Sequence, residues 1–191
     1  MRAEVRIEVD KCVEILEREG TILYPTDTVW GIGCDATSQK AVEKIYHIKQ
    51  RVESKSLIIL LADIKDISKY VEKVPGIAID LMKNVERPTT IIYPNAINLA
   101  KNVVADDNSI AIRIVKNEFC KCLIRTFGKP IVSSSANISG EQTPVVFKLI
   151  SKEILDHVDY VVNLYQDVLQ ELKPSRIIKL SENGEFDIIR Q

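Results

Sequence analysis

Residues 57–62 read LIILLA, six consecutive apolar side chains that include the β-branched Ile58 and Ile59. A run this short cannot be a helix of ordinary length, and one with no polar alternation is covered on both faces, so it predicts a strand in the middle of a sheet. Shorter β-branched runs at 21–24, 89–93, 109–114, from 131 and at 160–163 supply further strands. Helical spacing appears at 10–19, where Cys12, Val13, Ile15 and Leu16 recur and Gly20 is the expected left-handed stop. After Ser38, a suitable N-cap, Ala41, Val42, Ile45 and Ile48 form one apolar face and leave Lys44, His47 and Gln50 toward solvent. Segments 66–74, 77–85, 118–127 and 145–155 also read as helices, with Gly128 and Pro130 ending the third. The residues between Pro25 and Gly33 read as a loop, and 176–180 with 185–189 form a terminal hairpin through Asn183-Gly184. Strands alternating with helices predict an α/β fold: a twisted, mostly parallel or mixed sheet covered by helices.

The chain has 191 residues, 46% of them hydrophobic and 28% charged, which fits one packed domain spanning 1–191. With 26 basic and 27 acidic side chains the net charge is -1, so nothing global draws the protein to nucleic acid or to an anionic membrane. Any grip on phosphate must be local. The segment 40–55 offers it, with Lys40, Lys44, Lys49, Arg51 and Lys55 against Glu43 and Glu53. Cys12, Cys34, Cys120 and Cys122 lack a Cys-x-x-Cys spacing and are read as reduced thiols. His47 and His157 stand apart from any zinc-like arrangement, so no structural metal is expected. The charged first residues and the lack of a long apolar run predict a cytoplasmic protein with no membrane segment.

Four polar clusters fall at strand or helix ends, where open α/β sheets place their ligands. The first is Thr26-Asp27-Thr28 with Gly31 and Gly33, which also fits a tight turn. No Gly-x-x-x-x-Gly-Lys-Ser/Thr pattern occurs, so an ordinary P-loop is disfavoured. The second runs from Lys49-Gln50-Arg51 to Lys55. There, cations can complement a helix C-terminus or grip adjacent phosphates. Arg113 is the third: flanked by Ala111, Ile112 and Ile114, it is expected to be half-buried, needing a structural carboxylate or a ligand carboxylate beside it. The fourth is SSSANISG at 133–140, too dense in short hydrogen-bonding side chains for one cap or turn to explain. A serine nucleophile is disfavoured because neither histidine has a triad or elbow context.

Taken in order, YPTDTVWGIG (24–33), IKQR with Lys55, AIRI (111–114) and SSSANISG resemble the YrdC-like family over nearly the whole chain. The resemblance implies that fold, in its short single-domain form, with a concave basic site. It implies a nucleotidyltransferase that makes threonylcarbamoyl-AMP and pyrophosphate from L-threonine, bicarbonate and ATP with Mg2+. No tightly bound prosthetic group is expected. Partner transferases would move the group onto tRNA. By the same resemblance Thr26, Arg113, Ser133 and Ser175 bind threonine, with Arg113 on its carboxylate. Lys49 and Arg51 hold the triphosphate as the catalytic pair, and Ser135, Asn137 and Arg190 complete the ATP site. Lys49→Ala is then expected to weaken ATP and to spare threonine.

The sequence departs from the family pattern at Val52, Ser56, Leu60, Glu86-Arg87-Pro88 and Arg176, which leaves room for a paralogue with altered carbamoyl or nucleotide chemistry. A module of the same fold binding double-stranded RNA or tRNA is a second alternative, opposed by the net charge and the single Trp; direct RNA binding is expected to be weak at most. A carbamoyl-transfer domain like that of hydrogenase maturation proteins is a third, and its zinc-finger motifs are absent from the sequence.

Overall fold

The computed structural model describes residues 2–51, 57–167, 175–181 and 183–191. In chain order these form α1 (Ala3–Glu17), β1 (Ile22–Tyr24), β2 (Gly31–Gly33), α2 (Gln39–Ile48), β3 (Ile58–Leu61), α3 (Gly76–Asn84), β4 (Thr89–Tyr93), β5 (Ile110–Ile114), α4 (Glu118–Phe127), β6 (Ile131–Ser135), α5 (Lys152–His157), β7 (Tyr160–Val161), β8 (Arg176–Leu180) and β9 (Phe186–Arg190). The strands make one sheet in the order β7-β1-β2-β6-β3-β5-β4-β8-β9, with β3 at its centre as the apolar run predicts. Three neighbouring pairs are parallel, β1 with β7, β3 with β5 and β4 with β8. The other five are antiparallel, so the sheet is mixed.

Alternation along the strands sends side chains into two cores. Leu23, Ile32, Ile59, Leu61, Ile91, Ile112 and Val132 face α2, whose Ala41, Val42 and Ile45 are fully buried, together with Ala78 and Met82 of α3 and Ile154 of α5. Ile22, Tyr24, Leu60 and Ile131 face the other way, onto Val5, Val9, Cys12 and Leu16 of α1 and Phe119, Leu123 and Ile124 of α4. These two helices cover only part of their face. Beyond them no helix among the described residues packs on this face, and that stretch of sheet positions the site.

Several local expectations need correction. Helix α1 begins at Ala3, well before residue 10, because Val5 and Val9 extend the buried stripe of Cys12 and Leu16 through the charged start of the chain. Its end is a Schellman turn in which Gly20 N–H donates to Ile15 O at 2.9 Å and Glu19 N–H to Leu16 O at 3.1 Å. The left-handed residue there is Glu19 (φ 58), not Gly20. Gly20 is needed for space, since a Cβ at that position would lie 2.5 Å from Ile15 Cγ2.

Residues 31–33, read as loop, are strand β2. Gly33 lets β1 and β6 close around it: the Tyr24 ring crosses that position, its hydroxyl donating to Val132 O at 3.2 Å, and a Cβ on Gly33 would lie 2.6 Å from Tyr24 Cε1. The expected helix 145–155 is split, because the Ser151 hydroxyl accepts from Ile154 N–H and starts α5 afresh after a 3-10 turn at Phe147–Leu149. The segment expected as a helix at 66–74 is a 3-10 helix, Ile64–Lys69. Ser38 caps α2 as expected, its hydroxyl accepting from Ala41 N–H. The four cysteines are free thiols, and burial raises those of Cys12, Cys34 and Cys120.

Candidate functional site

A cavity of about 410 Å³ opens on this stretch of sheet. Cross-strand register explains its floor. Ile58 lies opposite Ser133 on one side and Ala111 on the other, and Ala111 lies opposite Ile92. One step along, Arg113 lies between Leu60 and Thr90, and Thr90 is followed outward by Ile177 and Arg190. Residues in such rows share a face, so the floor carries apolar side chains in its middle and polar ones at its edges. Thr26, Thr28 and Trp30 from the turn after β1 wall one side, with Arg51, Thr143 and Val145. Trp30 is held by an edge-tilted contact with Phe147, ring centres 4.9 Å apart.

Arg113 is buried, 4% exposed, more deeply than the sequence suggests. Its Nη2 lies 3.3 Å from Asp27 Oδ1, and its Nη1 donates to Thr28 Oγ1 at 3.1 Å. Asp27 is therefore the structural carboxylate, itself anchored where its Oδ2 accepts from Lys116 N–H at 3.2 Å. The buried Nε of Arg113 has no hydrogen-bond partner among the described residues. Thr26 is committed to its own turn, its hydroxyl donating to Val29 O at 2.7 Å and accepting from Thr28 N–H at 3.1 Å.

At the opposite edge Ser175 Oγ meets Thr90 Oγ1 at 2.8 Å, and Arg190 Nε and Nη2 donate to Ser175 O at 2.9 and 2.8 Å. Burial lowers the Arg190 guanidinium below its ordinary value, and the charge of Arg113 lowers it further. Burial lowers Arg51 too. Like charges gathered in a desolvated space favour an anion between them.

The Lys-x-Arg segment is shaped by the end of α2. Arg51 N–H donates to Tyr46 O at 3.0 Å and Gln50 N–H to His47 O at 3.1 Å, a second Schellman turn with Gln50 in the left-handed position (φ 49). The turn sends Arg51 to the cavity wall and Lys49 inward. Lys49 is 2% exposed and does not line the cavity. Its ammonium donates to Ser135 O and, at 2.6 Å, to Asn137 O. Burial, then the charge of Arg51, push it down to about 8.

Of the residues singled out in the sequence, Thr26, Arg51, Arg113, Ser133, Ser135, Ser175 and Arg190 line the cavity together. Lys49 and Asn137 lie behind it, Asn137 Nδ2 donating to Ile138 O at 2.8 Å and Glu141 O at 2.9 Å. Lys40 and Lys44 point away, toward Glu19 and Asp159. Lys55, Val52 and Ser56 fall outside the described residues. Leu60 packs in the core with α1 and α4. The Glu86-Arg87-Pro88 turn is tied to Lys116, whose ammonium donates to Val85 O and Glu86 O. Thr28, Asp27 and Thr90 were not assigned roles from sequence. Thr90 carried a signal, a hydroxyl next to Ile91 and Ile92 in a strand that is mostly buried.

The family model named Sua5/YciO/YrdC, described as "Telomere recombination", matches residues 14–191. A threonylcarbamoyl-AMP synthase of Pseudoalteromonas translucida is 34% identical over 154 residues, 79% of this chain and 82% of that protein. Among solved structures, E. coli YciO shares the fold with a TM-score of 0.84 at 24% identity, over 98% of this chain and 89% of that one. P. abyssi Sua5 complexed with L-threonine shares it with a TM-score of 0.81 at 23% identity, over 91% of this chain. The match covers 51% of that Sua5 chain, so this protein spans about half its length. With a family model matched from residue 14 to the last residue, the chain belongs to the Sua5/YciO/YrdC family.

Proposed function

We propose that the protein is a threonylcarbamoyl-AMP synthase, making threonylcarbamoyl-AMP and pyrophosphate from L-threonine, bicarbonate and ATP for threonylcarbamoyladenosine modification of tRNA. One observation carries the reading: a single cavity gathers Arg51, Arg113 and Arg190 with seven Ser and Thr residues and no carboxylate among its described lining. Such a lining suits a ligand with several anionic groups at once, as a carboxylate and a triphosphate present. The relative named for this activity supports the same choice.

In this reading the site is a concave basic one within a single domain. Arg113 takes the threonine carboxylate on its guanidinium, whose buried Nε has no partner among the described residues while Asp27 and Thr28 hold Nη2 and Nη1. Thr26, Ser133 and Ser175 surround the amino acid; Arg51, Ser135 and Arg190 face the nucleotide. The threonine amine condenses with bicarbonate, losing water, to give a carbamate. A carbamate oxygen then attacks the α-phosphorus of ATP, the bond to the bridging oxygen breaks, and pyrophosphate leaves with its electron pair. No protein nucleophile is required, so the residues act by positioning and charge neutralisation.

No group of three or more His, Cys, Asp or Glu that could hold a metal occurs among the described residues, and the lining offers hydroxyls. That set fits Mg2+ arriving on the ATP phosphates as part of the substrate. The product would pass to tRNA-modifying transferases in the cytoplasm, with only weak, salt-sensitive RNA binding by this chain alone. No helix among the described residues is long and apolar enough to cross a membrane.

The test is incubation of purified protein with ATP, Mg2+, bicarbonate and threonine, followed by mass spectrometry for threonylcarbamoyl-AMP. Product and pyrophosphate are expected only with all four present. Serine should be used less well, by about 1–3 kcal/mol in kcat/KM for the missing methyl. Pyrophosphate release that ignores threonine would sink the reading, and RNA binding that survives high salt would favour an RNA-binding module.

A further inference from the structure

We propose that Lys49 is a positioning residue: its ammonium braces the end of β6 and the loop that follows, holding Ser133 and Ser135 at the cavity, and it touches no ligand phosphate itself. The inference rests on the proposed function only for the identity of the ligands. It runs against the expectation from sequence, where Lys49 pairs with Arg51 on the triphosphate.

The geometry is that of a clamp. Lys49 binds the loop through three contacts, its ammonium on Ser135 O and Asn137 O and its own carbonyl accepting from Ser139 N–H at 2.9 Å. Strand β6 ends at Ser135, so the carbonyls at 135 and 137 lie where the ladder no longer supplies donors. Ser135 O also accepts from Asn137 N–H at 2.9 Å, and Lys49 is the side chain that reaches both part-buried carbonyls and ties them together, so losing its donors is costly. Among the described residues the loop is fastened elsewhere by Ala136 N–H on Trp30 O at 3.0 Å and by bonds within itself, including those of Asn137. The Schellman turn fixes where the clamp stands. With Gln50 left-handed, Lys49 and Arg51 diverge, so one cation goes to the loop and the other to the cavity. Neither the lysine nor its two acceptors can move without moving the serines of β6, two residues away.

A clamp and a phosphate ligand predict different losses. If Lys49 braces the loop, Lys49→Met loosens Ser133 and Ser135 alike. Threonine affinity, measured by calorimetry without ATP, should then fall about tenfold, and ATP affinity by a similar factor. Hydrogen exchange of the ligand-free full chain should rise by about tenfold or more at the amides of 136–140, while amides of α1 and α4 keep their protection. Lys49→Gln keeps two N–H donors and no charge, so it should recover part of the loop protection. It carries the same comparison if the methionine variant does not fold.

The inference is overturned if Lys49→Met leaves loop exchange and threonine affinity unchanged while ATP binding drops. It is also overturned if Lys49→Gln exchanges as fast as Lys49→Met. If the unaltered protein binds neither threonine nor ATP, the proposed function fails, yet loop exchange still decides the role of Lys49.

Discussion

Arg113 illustrates how a neighbour changes the meaning of a substitution. With Asp27 at 3.3 Å and both side chains buried, Arg113→Ala removes a ligand group and also strands a carboxylate away from water. The variant should therefore lose about 3–5 kcal/mol of folding stability. Adding Asp27→Ala should restore a good part of that loss, which urea unfolding of the two single variants and the double variant will measure. Strict additivity would mean that the pair does not interact. Lys49 gives a prediction in pH. In the folded protein it releases its proton at about 8, whereas the unfolded chain holds it to the ordinary 10.5. Between those values the unfolded state binds more protons, so unfolding free energy should rise with pH across that window and stay level below it. Arg51 is the charged group acting on it, and the slope should appear as the difference between wild type and Lys49→Met, which cancels the other titrating groups.

Helix ends do much of the aiming in this fold. Three helices finish on left-handed residues: Glu19 after α1, Gln50 after α2 and Gly128 after α4. At Gly128 (φ 76) nothing lies within 4 Å of where a Cβ would go, so any penalty for a side chain is purely conformational. Gly128→Ala should cost about 1–2 kcal/mol in urea unfolding, with no change in ligand affinity, and Gly128→Asn should cost less. At Gln50 the same backbone is kept by a non-glycine residue whose amide also donates to Glu153 Oε1 at 2.6 Å. Gln50→Val, β-branched in a left-handed turn, should cost more than Gln50→Ala in stability, and it should weaken both substrates by shifting Lys49 and Arg51 together.

Long-range ties close the molecule at one edge of the sheet. Glu8 of α1 accepts from Tyr160 OH and from Asn163 N–H, both at 2.8 Å, joining the first helix to β7. Burial pushes its carboxyl up, but the hydrogen bonds from Asn163, Lys11 and Tyr160 outweigh that and leave it below its ordinary value of 4.5. A lowered carboxyl contributes stability that is complete above that value and is lost as pH falls through its folded pKa. Glu8→Ala should cost about 1–3 kcal/mol by leaving those donors unpaired, and the variant should lose less stability than wild type on acidification below pH 4.5. Circular dichroism melts from neutral to acid pH will check both.

The bounds of β4 and α4, the Ser38 cap and the central position of β3 were legible in the residues because each depends on local pattern: period, β-branching, a hydroxyl before a helix, a glycine after one. The polar clusters were legible for a similar reason, since strand ends in an α/β sheet are where such residues collect. What local pattern could not reveal depends on partners far along the chain. Gly31–Gly33 has no strand propensity of its own and is a strand because β1 and β6 flank it. The charged start of α1 is helical because its buried stripe packs on α4, over a hundred residues later. Lys49 reads as one more cation beside Arg51, yet it faces inward, because a left-handed turn at the next residue and two carbonyls of a loop more than 80 residues away take up its charge where water cannot reach.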